Sequence, residues 1–278
     1  MTEQSGIRGA AWFRALTGEA TPLPGDPPSI LAADAVLGEE TARFLCVIPN
    51  LNARFPCARH GEVGLEEAYS LASRVREAME RDKHTKKRAI VAIVDVKSQA
   101  YGRREEIAAI FLAAAAAADA YGSARLNGHP VIALVVGHAF SGGFLTHGYQ
   151  ANRILAFDDP GITIHAMHKE AAARITRRSV ESLDQLGHTV VPLSYDICEF
   201  AKLGLLHQLL HVENPEHPSR QSTSYVQHEL IAAIADTRGN NVDLRNRLES
   251  SGALEMRKAS LLVRTMLKEQ WRESGSNC

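Results

Sequence analysis

Two stretches of six residues, 89–94 and 131–136, contain no polar side chain. Segments so short and so uniformly apolar, rich in Ile and Val, suit strands covered on both faces, because a strand with one wet face would alternate. Between them, residues 103–121 hold neither Gly nor Pro. The pattern predicts one helix over 103–126, long enough to carry the chain from the end of one strand back to the start of the next. Its alanines, Ala113 to Ala118, favour the helix and leave a thin side-chain layer, so it can lie close to its neighbours. Upstream, Leu65, Ala68, Ala72, Val75 and Met79 recur at steps of three and four and predict an amphipathic helix with one face on a sheet. Strands alternating with helices imply a mostly parallel α/β layer with right-handed crossovers.

Shorter apolar runs predict further strands over 43–48, 154–157 and 162–165. Helices are predicted over 169–177, 194–202, 225–236 and 256–271, the last with Met256, Ala259, Val263 and Met266 on one face. Four prolines between Thr21 and Ser29 fix φ and withhold backbone donors, so residues 1–40 are expected to form an irregular N-terminal arm and 41–278 a single domain. The basic stretch 81–88 suits either a phosphate site or a solvated connection. Charge is nearly balanced, 31 Lys and Arg against 32 Asp and Glu, which removes the field that gathers nucleic acid or an anionic membrane. Cys46, Cys57, Cys198 and Cys278 form no CxxC pair, which fits a reducing compartment. Without a signal-peptide core or a spanning apolar run, the expectation is a cytoplasmic protein with neither nucleic-acid nor membrane partners.

The second apolar run leads directly into Gly137-His138-Ala139-Phe140-Ser141-Gly142-Gly143-Phe144. A strand, a glycine corner and a helix start turn two adjacent N–H groups, those of Gly142 and Gly143, outward, where they can hold an oxyanion. Lacking a Cβ, glycine lets the backbone approach a carbonyl oxygen to hydrogen-bond distance. The same residues also suit a plain turn in which glycine serves close packing. After the first apolar run, residues 95–102 offer the amides of Ser98 and Gln99 at another strand end. Open α/β sheets bind ligands beyond the carboxyl ends of their strands, so the two loops converge if their strands are neighbours. A different chemistry starts from Ala139-Phe140-Ser141-Gly142-Gly143, which approximates the GxSxG elbow of a serine hydrolase, with Asp158 or Asp159 and then His165 downstream. No dinucleotide or P-loop motif is present. His165 and His168 stand three apart without a third ligand at metal spacing, so no metal is expected.

The corner, together with His147-Gly148, Gln150-Ala151-Asn152-Arg153, Asp158-Asp159-Pro160-Gly161, His165-Ala166-Met167 and Thr176-Arg177-Arg178, resembles the gamma subunit of biotin-independent malonate decarboxylase. Ser98-Gln99-Ala100-Tyr101-Gly102-Arg103-Arg104 and Gly61-Glu62-Val63-Gly64 extend the resemblance, which covers residues 40 to 210. It implies the carboxyltransferase branch of the crotonase superfamily: a spiral of ββα units, and an active site shared with a beta subunit of the same fold. The implied reaction converts a malonyl thioester, carried on the CoA-derived prosthetic group of an acyl-carrier (delta) subunit, to an acetyl thioester and CO2. An acyl-transferase (alpha) subunit completes the complex, with no cofactor bound directly and no biotin. The resemblance puts Ser141, Gly142 and Gly143 at an oxyanion hole and Ser98, Gln99, Ala100 and Phe140 against substrate. His165 and Tyr195 become candidate proton donors, although His165 also suits a satisfied core histidine. Where carboxyltransferases carry Pro-Gly after the strand-end Asp, this chain has Lys97-Ser98 after Asp95-Val96, a bulkier approach to substrate. The alternatives are a carboxyltransferase subunit of a biotin-dependent decarboxylase and a serine hydrolase using Ser141.

Overall fold

The structure is a computed structural model and describes residues 7–18, 20–240 and 242–275. In chain order its elements are α1 (Ile7–Thr17), β1 (Ile30–Leu37), β2 (Glu40–Val47), α2 (Leu65–Arg81), β3 (Ala89–Val96), α3 (Arg103–Ile107), α4 (Ile110–Leu126), β4 (Val131–Phe140), α5 (Ser141–Thr146) and β5 (Arg153–Phe157). They continue with β6 (Ile164–His165), α6 (Lys169–Thr176), α7 (Val180–Gly187), α8 (Ile197–Lys202), β7 (Gln208–Leu210), α9 (Arg220–Gly239), α10 (Asn246–Glu249), α11 (Ser251–Met256) and α12 (Lys258–Gly275). The strands form one sheet in the order β1-β2-β3-β4-β5-β7, with β6 beside the end of β4. Among the named strands of the described residues, β1–β2 is the one antiparallel pair. The two apolar runs are the adjacent parallel strands β3 and β4, and every residue of β3 is buried. Such burial requires cover on both faces: α2 and α4 lie together on one, α1 and α9 on the other.

Where β3 and β4 end, their pairing slips. Val94 faces Val135 but Val96 faces Ala139, leaving extra residues of β4 opposite Asp95. The buried Asp95 carboxylate accepts the N–H of Gly9 at 3.2 Å and of His138 at 3.1 Å, tying α1 to both strands. This slip re-aims the last residues of β4 towards β6.

Three expectations change. Residues 1–40 are not an irregular arm throughout. Residues 1–6 and 19 lie outside the described residues, but α1 drives Trp12, Phe13 and Leu16 into the core and β1 is an edge strand of the sheet. Among the described residues from 7 to 37, irregular backbone falls in the proline-bearing stretch between them, where φ is fixed and donors are missing. Next, the helix expected over 103–126 breaks between α3 and α4, where Ala109 adopts a left-handed φ of 60°. Finally, the helix expected over 256–271 is split, with Met256 ending α11 and α12 beginning at Lys258, and Val263 and Met266 on its shared face are exposed. The basic stretch 81–88 is the connection and not a free anion site: Arg81 pairs with Glu77, Lys86 with Glu40, and Arg88 with Asp82 and Asp34. Among the described residues no helix is long and apolar enough to cross a membrane, and no cluster of His, Cys, Asp and Glu could hold a metal ion.

Candidate active site

Because β3 and β4 are parallel neighbours, their carboxyl ends deliver two loops to one place. The loop after β3 is pinned by Val63, whose N–H donates to the Ser98 carbonyl and whose carbonyl accepts the Ala100 N–H, both at 2.9 Å. The Ser98 hydroxyl turns back onto the Gln99 carbonyl at 2.6 Å. Ala100 is buried, and with its amide committed to Val63 it offers substrate no donor. The amides of Ser98 and Gln99 are not engaged by these bonds.

Against this loop sits the corner at the start of α5. A Cβ on Gly143 would run into the backbone carbonyl of Ser98, and one on Gly142 into the side-chain carbonyl of Gln99. At Gly143 the obstacle is backbone and glycine is required for contact between the two loops, whereas at Gly142 it is the end of the Gln99 side chain, which would have to swing away; the same contact leaves the first-turn amides of Gly142 and Gly143 beside Gln99. Those amides have no partner within their own helix, so the residues that allow the close packing also carry first-turn donors. Ser141 has a φ of 56°, a conformation that costs a non-glycine residue about 1–3 kcal/mol. Its hydroxyl lies 2.6 Å from the Tyr101 hydroxyl, a partner that sequence reasoning missed because the two residues meet only through strand pairing.

One residue before the corner, the half-turn becomes aromatic. Phe140 is buried, with the His168 ring 4.4 Å away and Tyr195 6.1 Å away, centroid to centroid. His165 pairs with Phe140 across β4 and β6 and stacks on Tyr195 at 4.1 Å. Both candidate acids are committed to backbone. The His165 Nδ1 is 3.1 Å from the Met167 N–H and 3.0 Å from its carbonyl; burial pulls the ring below its ordinary pKa, against hydrogen bonds to the backbone of Met167 and Pro192. The Tyr195 hydroxyl donates to the Met167 carbonyl at 2.7 Å, and its pKa is pushed up to about 12 by burial first, then by Glu170 and Asp184. The structure thus brings both alongside the site as braces of the turn at 165–167. A hydrolase triad does not assemble: Asp159 pairs with Arg8 at 2.9 Å and Asp158 accepts the Cys198 thiol at 3.0 Å.

A further residue beneath the corner entered the sequence reading only as part of the resemblance, with no role assigned. His147, fully buried, lies between the Tyr121 hydroxyl of α4 and the Ile93 carbonyl of β3, both at 2.9 Å. Its own N–H closes α5 on Gly143, so it fixes where that short helix stands.

The model of the malonate decarboxylase gamma subunit family matches residues 58–271. The chain belongs to this family. A chain of a Pseudomonas malonate decarboxylase hetero-tetramer solved with coenzyme A is 53% identical, with a TM-score of 0.90 over 95% of this chain and 99% of that one. A chain of the Pseudomonas MdcD-MdcE hetero-dimer is 50% identical, with a TM-score of 0.87 over the same shares. The malonyl-S-ACP:biotin-protein carboxyltransferase of Malonomonas rubra is 31% identical over 242 residues, 85% of this chain and 80% of that protein. The transcarboxylase 12S core, at 16% identity and a TM-score of 0.58 over 77% of this chain and 37% of that one, shares the fold. The malonate decarboxylase family fold is thus the crotonase-like α/β layer of carboxyltransferases, as the resemblance implied.

Proposed function

We propose that this malonate decarboxylase subunit supplies one wall of an active site completed by a homologous beta subunit, and that the site converts a malonyl thioester to an acetyl thioester and CO2. As the carboxylate leaves, the C–C bonding pair moves into the thioester and charge gathers on its carbonyl oxygen. The amides of Gly142 and Gly143 receive that oxygen as an enolate; one well-aimed donor of this kind is worth about 3 kcal/mol in the transition state. Phe140 forms the apolar wall behind, and the Ser98 and Gln99 amides form a second donor pair for the departing carboxylate. The observation that carries this reading is the contact between the two loops, in which neither Gly142 nor Gly143 tolerates a Cβ without moving Gln99 or Ser98.

A shared site is supported by what flanks the corner. Tyr101, Ile107, Phe111 and Leu112, from the loop after β3, α3 and α4, and Leu145 of α5 are all exposed, and α4 lies against α5. An apolar surface around a polar corner is what a partner subunit covers. The substrate is carried on the CoA-derived prosthetic group of an acyl-carrier (delta) subunit charged by an acyl-transferase (alpha) subunit. The reading without biotin is supported by the higher identity to malonate decarboxylase chains, 50–53%, against 31% for the biotin-protein carboxyltransferase.

Release of labelled CO2 from a malonyl-thioester carrier tests the reading, with this chain alone, the beta subunit alone, and both together. Activity is expected only in the mixture, unchanged by avidin and lost in a mixture with Gly142→Val that still assembles. Undiminished activity with that variant removes the oxyanion hole from this chain, and inhibition by avidin restores the biotin-dependent alternative.

A further inference from the structure

Loss of CO2 leaves a carbanion that must take up one proton, and the two side chains first expected to supply it, His165 and Tyr195, are held by backbone at Met167 and Pro192. We propose that the hydroxyl pair Tyr101–Ser141 is the proton relay of the site; the proposal rests on the decarboxylase reading above. The Ser141 Oγ is 2.6 Å from the Tyr101 hydroxyl. Its backbone, in the left-handed region, precedes the Gly142 and Gly143 amides, so a thioester oxygen held by those amides brings its α-carbon to the side chain of the adjoining residue. No histidine or carboxylate engages the Ser141 hydroxyl among the described residues, which sets it apart from a nucleophile activated by a base. Tyr101 is 56% exposed, so its hydroxyl reaches both Ser141 and solvent.

The step balances as a proton transfer. The Ser141 O–H gives its proton to the enolate carbon, forming the C–H bond of the acetyl thioester while the enolate oxygen returns to a carbonyl. Ser141 recovers a proton from the Tyr101 hydroxyl, and Tyr101 recovers one from water. One proton is consumed per CO2 released, with no oxidant or co-reactant.

The reverse of this transfer is measurable without decarboxylation, as deuterium uptake into the methyl group of acetyl-CoA in D2O by the assembled complex with the beta subunit. Tyr101→Phe and Ser141→Ala are each expected to slow exchange by on the order of 100-fold or more, the usual contribution of a positioned acid or base. The double variant is expected to be no slower than the worse single one, while KM for malonyl-CoA stays within about twofold. A packing role for the pair would instead raise KM and leave exchange in step with turnover. Exchange within about twofold of the parent in both variants, or no exchange by a parent complex that releases CO2, overturns the relay. A parent complex that releases no CO2 from malonyl-CoA overturns the decarboxylase reading itself.

Discussion

At the scale of single residues, His147 shows how a site is braced from below. Its two ring nitrogens meet one hydroxyl and one carbonyl in the core, an arrangement that suits a neutral ring with the Tyr121 O–H donating to Nδ1 and Nε2–H donating to Ile93. Burial is the main cause that lowers its pKa from the ordinary 6.5 to about 4, the bond to the Ile93 carbonyl opposing it. A folded value below the unfolded one means that the unfolded chain binds the extra proton first. The stabilisation is therefore fully present above pH 6.5 and is lost as pH falls towards 4. Over that window the group accounts for about 3 kcal/mol, at about 1.4 kcal/mol per unit of pKa difference. Urea unfolding midpoints measured from pH 7 to pH 4 are expected to fall, and His147→Gln, less stable at pH 7, is expected to flatten that slope. An equally steep slope in the variant assigns the acid sensitivity to other groups.

At the scale of elements, α1 carries more than its sequence announces. Trp12 is fully buried, packs edge-on against Phe157 of β5 at 4.7 Å and donates its indole N–H to the Pro215 carbonyl at 2.8 Å. Trp12→Ala should therefore cost about 3–5 kcal/mol, since it leaves both a cavity and an unpaired carbonyl, as read by the shift in denaturation midpoint. A cost below about 1 kcal/mol would mean that α1 is not seated on the sheet in solution. The prolines at 22–28 drew attention away from this helix, because their effect on backbone is local and says nothing of the residues before them. The strands β3 and β4 were legible because complete burial leaves an unbroken apolar run, and the corner at Ser141-Gly142-Gly143 because only glycine admits the approach of another backbone. The break at Ala109 was not legible: no Gly or Pro marks it, and it is imposed by where α3 and α4 must each pack. Tyr101 at Ser141 and His147 at Ile93 were hidden for the same reason, each pairing residues 40 or 54 positions apart.

At the scale of the whole molecule, exposed apolar residues are spread over much of the surface, with two groups of them around the corner and along α12. The first, which includes Ile107 and Phe111, is where the beta subunit is expected to sit. Phe111→Asp should weaken association with that subunit by about 30-fold or more, as removal of a central apolar anchor does, while the thermal midpoint of the isolated chain hardly moves. Titration of the labelled beta subunit against parent and variant reads this, and equal affinities would move the interface elsewhere. A different consequence follows from Arg8 of α1, which pairs with Asp159 at 2.9 Å and bonds through its Nε to Glu216 at 2.8 Å, 151 and 208 positions away. Contacts so distant in sequence form late, since a long loop must close before they contribute. On the ribosome, α1 emerges before every strand it will cover, and the seat of Trp12 is incomplete until Phe157 and Pro215 have been made. Nascent gamma subunits thus pass through a stage in which a finished helix waits, greasy side outward, for most of the chain to be translated, and that interval is when a chaperone has something to hold.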